Sequence, residues 1–225
     1  VMNNIELNQI FKKLDKWVSV HGTGNFVHKN FFENPDDNYN LSENFGIQQV
    51  RQEIFNFSKE ILKRKNRGIC AEIGLGFYGS THFLWRHIFK KVITIEYQID
   101  RIFAFRENLN KFYLKPVLND NKSKFVFGKS SDPTSIKKLF NILGNKKLDM
   151  LFIDGDHNFE GVYADYHIYS SFVKKGGIIA FHDCLNNISG KGVFKFIKEI
   201  QKTNNKIKFK KIVPVSYTHL TLPTK

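Results

Sequence analysis

The feature that most restricts the fold of this chain is an apolar segment that breaks into glycines and then continues with helical spacing. Residues 69–73 have the mostly apolar character of a buried strand, and residues 80–89 repeat apolar side chains with the period of a helix. Gly74, Gly76 and Gly79 lie in the turn between them. Glycines at this turn let the backbone bend sharply and approach a bound nucleotide closely. The segment therefore predicts a nucleotide site at the end of the first strand.

Two acids beside this turn indicate what kind of nucleotide binds. Glu96 ends the next apolar run, 22 residues after Gly74, where an acid can accept hydrogen bonds from ribose hydroxyls. Glu72 lies two residues before Gly74, where its carboxylate would repel a pyrophosphate. A ligand that carries an ammonium and a sulfonium group suits Glu72 better, and the carboxylate of such a ligand can bind the N–H groups at the helix start.

Residues 72–79 resemble the first motif of the class I S-adenosylmethionine-dependent methyltransferases, acid-x-G-x-G-x-x-G, at every position. S-adenosylmethionine has both an ammonium and a sulfonium group. The resemblance implies that Glu72 lies near the ammonium of this cofactor and that Glu96 binds its ribose. It also implies that the methionine pocket is formed around Gly74, Gly76, Gly79 and Ser80. In the alternative, the segment is only a structural strand, turn and helix, and the acid at position 72 is there by chance.

The loop over residues 128–133 follows the third predicted strand. Relatives use this loop to contact the adenine edge with a small polar side chain, and the resemblance implies that role for Ser130. Asp132 precedes Pro133, a residue favoured at the first helical position, so we expect Asp132 to cap the next helix. Tyr97 follows Glu96 and either stacks along the adenine or packs on the surface.

Strands and helices alternate along most of the chain, which predicts a Rossmann-like, doubly wound α/β fold with a mostly parallel sheet. The predicted strands are 69–73, 92–96, 124–127, 148–153, 177–181 and 207–213, and the predicted helices are 47–65, 79–90, 98–113, 133–143, 160–174 and 190–203. The resemblance implies a sheet of the seven-stranded type whose last strand is antiparallel. Residues 216–225 are short and alternate poorly, so we expect that strand to be missing or altered.

Three parts of the chain are distinguished by their patterns. Residues 1–46 form an N-terminal extension, in which a helix over 3–20 packs on the main domain and the irregular stretch 21–46 is either a substrate lid or a mobile connector. Residues 47–215 form the methyltransferase domain. Residues 216–225 are interpreted as a non-native or disordered tail.

Polar residues also follow two later strands, at the point where each strand ends. Asp154, Asp156 and His157 follow the strand over 148–153, and His182 and Asp183 follow the strand over 177–181. Because the ligand crevice of an open α/β sheet lies beyond the carboxyl ends of its strands, these side chains should converge near the cofactor. Several ionisable groups in one crevice are typical of a catalytic site.

This pair of segments resembles the metal-dependent small-molecule O-methyltransferases, including the catechol and antibiotic-sugar branches, and the cephalosporin hydroxylase-like group. The resemblance implies that a divalent cation is held by Asp154, His182 and Asp183. The family usually has an acid at the position of His182, so an imidazole there shifts the preference from Mg²⁺ toward softer ions. In the alternative, Asp154 caps the following loop, and His182 and Asp183 bind substrate hydroxyls directly.

His157 lies where relatives carry a lysine or histidine base. A hydroxyl loses its proton as it attacks the sulfonium methyl group, and a histidine that titrates near neutrality suits that role. The resemblance therefore implies that His157 is the general base, with Asp154 beside it and His182 as a substitute base.

The composition limits the classes of partner and the cellular compartment that we expect for this chain. The formal charge of +14 favours a nucleic-acid partner, but the lysines are scattered rather than clustered. No apolar run approaches the roughly 20 residues of a membrane span, and the N-terminus lacks a secretory pattern. The two cysteines indicate a reducing compartment, so we expect a cytoplasmic protein without a disulfide framework.

Other functions fit the sequence less well. An NAD-dependent oxidoreductase on this fold would need a Tyr-x-x-x-Lys pair, whereas Tyr163 and Tyr166 are followed four residues later by His167 and Ser170. An RNA-modifying enzyme that acts on base nitrogens would carry a motif like Asn-Pro-Pro-Tyr after the fourth strand. This chain has Asp154 to His157 at that place instead. A binding module without turnover is the third alternative. The sequence thus favours O-methylation of a hydroxylated small molecule such as a sugar or natural product, and it leaves the oligomeric state open.

Overall fold

The computed structural model describes residues 4–21, 51–76, 78–114, 121–184, 191–203, 208–212 and 217–221. The helices are α1 (Asn4–His21), α2 (Arg51–Leu62), α3 (Ser80–Ile88), α4 (Ile99–Tyr113), α5 (Pro133–Leu143), α6 (Phe159–Tyr169) and α7 (Lys191–Thr203). The strands are β1 (Ile69–Ile73), β2 (Lys91–Glu96), β3 (Ser123–Phe127), β4 (Leu148–Ile153), β5 (Val173–Phe181), β6 (Lys208–Ile212) and β7 (Tyr217–Thr221).

The strands form one sheet with the order β3-β2-β1-β4-β5-β7-β6. The first five strands are parallel, and β7 is antiparallel to both of its neighbours, β5 and β6. This order confirms the Rossmann-like α/β fold with a mostly parallel sheet. It also places the carboxyl ends of β1, β2, β4 and β5 side by side at one edge.

The expectation that the last strand is missing is wrong, because Tyr217–Thr221 forms β7. Its backbone pairs with β5 from Ile178↔Thr221 to Phe181↔Thr218 and with β6 on its other side. Strand pairing is a property of the backbone, so a short segment with poor side-chain alternation can still fill the space between two strands. Part of the stretch interpreted as a tail therefore belongs to the sheet.

One predicted helix is too long. We predicted a helix over 160–174, whereas α6 ends at Tyr169, a short 3₁₀ turn spans Ser170–Phe172, and β5 already begins at Val173. Val173 pairs with Leu148 of β4. The pairing with β4 outweighs the helical pattern of the side chains at this position.

Helices cover both faces of the sheet. On one face, α1 to α4 bury a core in which the Trp17 ring stacks on Phe83 with 4.5 Å between ring centroids, so α1 packs on the main domain as predicted. On the other face, α5 to α7 bury Leu139, Tyr166 and Phe196. With both faces covered, ligands have access at the carboxyl ends of the strands.

Two further predictions concern membrane spans and the irregular N-terminal stretch. No helix there is both long and apolar enough to cross a bilayer. The stretch predicted as a lid or connector lies, beyond His21, outside the described residues.

Candidate active site

A cleft of about 990 Å³ opens at the carboxyl ends of the central strands. All but one of the residues predicted for cofactor, metal or catalysis line it; Glu72 is the exception. The predicted residues in the lining are Gly74, Gly76, Gly79, Ser80, Glu96, Tyr97, Ser130, Asp154, His157, His182 and Asp183. The structure therefore brings segments from five strand ends into one site.

The backbone ladder positions these strand ends. The N–H of Asp154 donates to the Ile73 carbonyl at 3.0 Å, and the N–H of His182 donates to the Ile153 carbonyl at 3.1 Å. Since the parallel pairing continues to the last residue of each strand, the side chains that follow emerge next to one another.

The glycine turn requires residues without a Cβ. Gly74 has φ +91°, and a Cβ there would lie 2.2 Å from the Asp154 carbonyl oxygen. Gly79 has φ +60°, and its Cβ would lie 2.3 Å from the Phe105 ring. Both conditions favour glycine, the residue that adopts positive φ without steric cost. The turn can thus lie against the β4 loop and leave the cleft open.

Glu96 links two backbone segments beneath the cleft. One carboxylate oxygen accepts a hydrogen bond from the Leu75 N–H at 2.9 Å, and the other accepts from the Gln98 N–H at 2.8 Å. The Arg101 guanidinium lies 3.7 Å from the carboxylate. An ionised carboxylate has about four acceptor sites, so Glu96 keeps capacity for the ribose hydroxyls that we predict it binds.

Glu72 is fully buried and does not line the cleft. Its Oε2 accepts a hydrogen bond from the Thr94 hydroxyl at 2.7 Å. Burial raises the pKa of Glu72 to about 8, although hydrogen bonds from Thr81 and Thr94 oppose the increase. The side chain does not line the cleft, although Asp154 and Glu96 are close enough to raise its pKa further. It lies on the sheet face covered by α3, because successive strand residues point to opposite faces.

Four ionisable side chains from the ends of β4 and β5 form the acid–histidine cluster, which comprises Asp154, His157, His182 and Asp183. His182 Nδ1 lies 3.1 Å from Asp154 Oδ1 and 3.4 Å from Asp183 Oδ2. His157 Nε2 lies 3.5 Å from Asp154 Oδ1, and its Nδ1 lies 3.4 Å from Asp183 Oδ2. Each histidine is thus placed between the same two carboxylates.

The cluster stabilises the charged forms of its members. Burial disfavours the charge of Asp154, but His182 and His157 outweigh burial and lower the pKa of Asp154 to about 2. Burial likewise opposes the charge of His182, yet Asp154 and Asp183 raise its pKa to about 10. The hydrogen bond that His157 donates to Asp154 is the main cause that raises the pKa of His157. Opposite charges within 4 Å therefore dominate over desolvation here.

The donor set of the cluster fits a divalent cation. One atom each from Asp154, His182 and Asp183 lies within 4.8 Å of the others. Two carboxylates with one imidazole suit transition-metal ions better than Mg²⁺, which prefers oxygen ligands only. Asp183 also has a left-handed backbone with φ +51°. Such strain in a residue other than glycine is concentrated at functional sites.

Asp156 lines the same cleft, as the sequence predicted, but its carboxylate is bound to the neighbouring loop rather than to the cluster. Its Oδ1 accepts hydrogen bonds from the Asn158 backbone N–H at 3.0 Å and from the Asn158 side-chain amide at 2.9 Å. This carboxylate stabilises the loop that leads into α6. Asp132 likewise acts on the backbone, because its side chain accepts the Thr134 N–H at 2.9 Å and caps α5 as predicted.

The loop after β3 contributes a further wall. Ser130 lines the cleft, and its carbonyl accepts a hydrogen bond from the Tyr169 hydroxyl at 2.6 Å. Tyr97 is 56% exposed at the rim. Both residues line the cleft, and their predicted roles at the adenine stay predictions.

The sequence reasoning missed Asp165, which lines the cleft from α6 although only 2% of it is exposed. Burial raises the pKa of Asp165 to about 6, although a hydrogen bond from Ser130 partly lowers it. A signal was present in the sequence. The buried face of α6 has the spacing i, i+3, i+4, i+7, and an acid occupies its second position: Val162, Asp165, Tyr166 and Tyr169.

Comparison with solved structures identifies similar folds. The O-methyltransferase TomG from Streptomyces achromogenes, solved in complex with S-adenosylmethionine, has a TM-score of 0.61 at 14% identity, over 99% of this chain and 97% of its own. A putative caffeoyl-CoA O-methyltransferase from Staphylococcus aureus has a TM-score of 0.60 at 17% identity, over 76% of this chain and 83% of its own. These likenesses support the fold.

Comparison of sequences identifies the family. An uncharacterized protein of Acanthamoeba polyphaga mimivirus is 36% identical over 77 residues, a match that spans 34% of this chain and 34% of that protein. A sequence profile described as a methyltransferase domain matches residues 72–184, from the acid of the glycine motif to the end of the acid–histidine cluster. This range is half of the chain and confirms the class suggested by the glycine motif. The chain belongs to this family of methyltransferase domains.

Proposed function

We propose that the protein transfers the methyl group of S-adenosylmethionine to a hydroxyl group of a small molecule. The observation that carries this proposal is the acid–histidine cluster, which shares one cleft with the glycine turn and Glu96. The turn and Glu96 suit a nucleoside with a charged tail, and the cluster suits removal of a proton beside it.

The cofactor would lie across the ends of β1 and β2. When bound, S-adenosylmethionine supplies a methyl group on a sulfonium sulfur, and its transfer forms an oxygen–carbon bond as the carbon–sulfur bond breaks and leaves its electron pair on sulfur. The glycine turn would border the methionine part, because Gly74 and Gly79 let the turn pack against the Asp154 carbonyl and the Phe105 ring, where a Cβ would clash. Glu96 accepts hydrogen bonds from the ribose.

His157 is placed to accept the proton of the acceptor hydroxyl. Its imidazole is the more exposed of the two in the cluster, with 36% of the side chain accessible against 7% for His182. Asp154 and Asp183 flank its two ring nitrogens and stabilise the imidazolium that forms when the proton arrives. His182 is more deeply enclosed and serves to hold Asp154.

Asp154, His182 and Asp183 would hold a divalent cation. When bound, such an ion lowers the pKa of a hydroxyl that it contacts. Calorimetry with Mn²⁺, Zn²⁺ and Mg²⁺ tests the binding itself, and we expect the first two to bind more tightly because of the imidazole. His182→Asp should reverse that preference toward Mg²⁺. Equal binding of all three ions to both proteins would contradict the assignment.

Space for the acceptor adjoins the cluster. A second cleft of about 470 Å³ shares Gly155, Asp156 and His157 with the main cleft and continues along Phe159 to α7. Lys195 Nζ lies 4.8 Å from the centre of the Phe159 ring. An aromatic face next to His157 suits a hydroxylated ring as the acceptor.

Calorimetry with S-adenosylhomocysteine and NAD tests the cofactor. We expect the first to bind and the second not to bind. Glu96→Gln should weaken binding by about 1–3 kcal/mol, since the charged acceptor for the ribose is lost. Glu107→Gln is the matched control, because Glu107 lies on the exposed surface of α4 and pairs with Lys111. Binding of NAD alone would favour an oxidoreductase instead.

A nucleic-acid substrate is the second candidate, favoured by the formal charge of +14. Neutralised phosphates release counterions, so true binding weakens steeply with salt. Fluorescence anisotropy with a short RNA at two salt concentrations distinguishes a nucleic-acid substrate from a small-molecule acceptor. Tight binding with a steep salt dependence would favour this candidate, and its absence would leave the small-molecule acceptor.

A further inference from the structure

The smaller cleft beside His157 has a basic wall. Its volume is about 470 Å³, and Lys191 and Lys195 line it from the start of α7. Both lysines are exposed, and within the described residues neither forms an ion pair with an acid. The acid in this lining is Asp156, whose Oδ1 accepts two hydrogen bonds from Asn158. The cleft is therefore large enough for a small molecule and carries more positive than negative charge.

The stability of α7 does not explain lysines at this position. The peptide dipoles give the first turn of a helix a partial positive charge, so an acid is favourable there and a cation is not. The first turn of α7 contains no acid. Lys191 and Lys195 are also four residues apart, a spacing at which like charges on a helix repel each other. An anion bound between them would offset both unfavourable terms.

A close contact of α7 places these lysines beside the proposed base. A Cβ on Gly192 would lie 2.3 Å from the His157 carbonyl oxygen and 2.5 Å from the Phe159 nitrogen. A residue without a Cβ lets the helix approach the loop that carries His157 this closely. Because His157 lines both clefts, a molecule in the smaller cleft can present a hydroxyl group to its imidazole.

The Phe159 ring holds the Lys195 ammonium at the cleft. Lys195 Nζ lies 4.8 Å from the centre of the ring, within the range of a cation–π interaction. The ring itself packs edge-on against Phe196, with 6.0 Å between the ring centroids. An ammonium group has three N–H donors. Contact with a ring face engages no oxygen acceptor, so these donors can bind an anion.

We propose that Lys191 and Lys195 form an anion subsite, so that the methyl acceptor is a hydroxylated molecule that also carries a carboxylate or phosphate group. This inference rests on the proposed function and names the class of its acceptor. The anion lies at the two ammonium groups while the hydroxyl lies at His157. The charge thus determines which hydroxyl of the acceptor meets the base. Lysine suits either anion, since it acts as a compact point charge with rotatable donors.

Calorimetry on the protein saturated with S-adenosylhomocysteine tests the subsite. The ligands are 3,4-dihydroxybenzoate, 3,4-dihydroxyphenylphosphonate and the neutral 3,4-dihydroxybenzamide, which has nearly the shape of the benzoate. We expect at least one anion to bind about 5- to 30-fold more tightly than the amide, the range for two partly exposed ion pairs. The tighter of the two anions identifies the group that the subsite prefers.

The double variant Lys191→Met with Lys195→Met should lose this preference and keep the affinity for the amide, because methionine retains most of the aliphatic volume. A merely structural role would weaken all three ligands together. Lys90→Met with Lys146→Met is the matched control, since it removes the same charge where β2 and β4 begin, at the opposite edge of the sheet. This control should retain the preference. Thermal melts verify that both variants fold.

Each remaining outcome decides the proposal. Equal affinities for the amide and both anions would overturn it, and so would binding of none of the three ligands. An equal loss of preference in the two double variants would also overturn it, because net charge rather than the subsite would then attract the anion. S-adenosylhomocysteine is titrated first and tests the cofactor separately. If it does not bind but the anion preference is lost only in the Lys191 and Lys195 variant, the proposed function fails while the subsite stands.

Discussion

Among the described residues, an acid–histidine pair in the cleft can be compared with one in the interior, because the two consist of the same kinds of side chain. In the cleft, Asp154 Oδ1 lies 3.1 Å from His182 Nδ1. In the interior, Glu72 Oε2 lies 3.7 Å from His82 Nδ1, and the Thr94 hydroxyl bonds to both. The two acids belong to neighbouring strand segments, Glu72 within β1 and Asp154 directly after β4, yet the electrostatics of the pairs are opposite.

The cleft pair is ionised and the interior pair is neutral. After burial has opposed both charges, the mutual attraction lowers the pKa of Asp154 to about 2 and raises that of His182 to about 10. Burial raises the pKa of Glu72 to about 8 and lowers the pKa of His82 well below its usual value. The nearby Arg86 guanidinium also disfavours a charge on His82.

The difference teaches that proximity of an acid and a histidine does not determine their charge. The cleft pair has a second carboxylate and a second histidine as partners and lies against the cleft, so charge is compensated. The interior pair is sealed between the sheet and α3, where a desolvated ion pair costs more than its attraction returns. The cleft pair thus keeps its charges beside the cleft, whereas the interior pair links the strands through neutral hydrogen bonds.

The interior pair belongs to a directed chain of hydrogen bonds across three strands. The Thr94 hydroxyl donates to Glu72, so His82 Nδ1 must donate to Thr94, and His82 Nε2 then accepts from the Ser123 hydroxyl. The distances of the two histidine bonds are 2.6 and 2.7 Å. This order requires one neutral tautomer of His82, which agrees with its lowered pKa.

The largest effect is expected in the cleft, from His157→Gln. Without the imidazole, the acceptor hydroxyl loses its base, and turnover should fall by about 100- to 10,000-fold. The measurement is the initial rate of methyl transfer to a catechol, with S-adenosylhomocysteine affinity as a check on the cofactor site. His167→Gln, on the exposed side of α6, should retain full activity. If turnover of His157→Gln remained normal, the assignment of the base would have to be abandoned.

A smaller effect, with a distinctive pH dependence, is expected from Glu72→Gln. The folded protein keeps the Glu72 proton up to a pH of about 8, whereas the unfolded chain releases it near its usual pKa of 4.5. The folded state therefore binds more protons between these values, and stability falls as the pH rises through this window. Glutamine is neutral at every pH, so the variant should exceed the parent above pH 8 by on the order of a few kcal/mol.

Urea unfolding at pH 5 and pH 8.5 measures this difference. The groups that face Glu72 do not change the sign: Asp154 and Glu96 raise its pKa, while Thr81 and Thr94 lower it. At pH 5 the two proteins should be similar, since Glu72 is protonated in the folded state. Glu107→Gln, an exposed change on α4, should show no such trend. An equal difference at both pH values would mean that Glu72 is ionised in the folded protein.

Thr94→Val should destabilise the interior pair by about 1–3 kcal/mol at pH 7. Valine has nearly the same shape, but it removes the hydroxyl that serves both Glu72 Oε2 and His82 Nδ1. The two buried groups then lose their common partner. The free energy of unfolding in urea provides the measurement, and an unchanged value would show that the bridge contributes nothing.

Much of the fold was predictable because parallel strands buried on both faces appear as apolar runs with sharp ends. The predicted bounds 69–73 and 148–153 agree with β1 and β4. β7 was not predictable in this way, since its place between β5 and β6 depends on backbone pairing rather than on side-chain alternation.

The site was predictable where polar residues directly follow a strand, as Asp154 and His182 do. Glu72 does not line the cleft because it lies within β1, where the alternation of side chains decides its direction, and its role near the cofactor ammonium stays a prediction. Cys70 belongs to the core under α1 to α4, and Ala71 and Ile73 belong to the opposite core. Glu72, two residues from Cys70, therefore shares the face of Cys70.

The smallest effect is expected at the outer end of the hydrogen-bond chain, from Ser123→Ala. The Ser123 hydroxyl contacts His82 Nε2 at 2.7 Å and Arg86 Nη1 at 2.5 Å, but Ser123 is only partly buried at the start of β3. Water can therefore replace the lost hydroxyl, and we expect a loss of about 1 kcal/mol or less in the free energy of unfolding. A loss as large as that of Thr94→Val would indicate that the whole chain of hydrogen bonds acts as one unit. A small loss would mean that breaking a hydrogen bond of this chain costs less free energy at its solvent end than beside Glu72. That gradient is expected because the groups of the interior pair are fully buried and no water can replace a lost partner there.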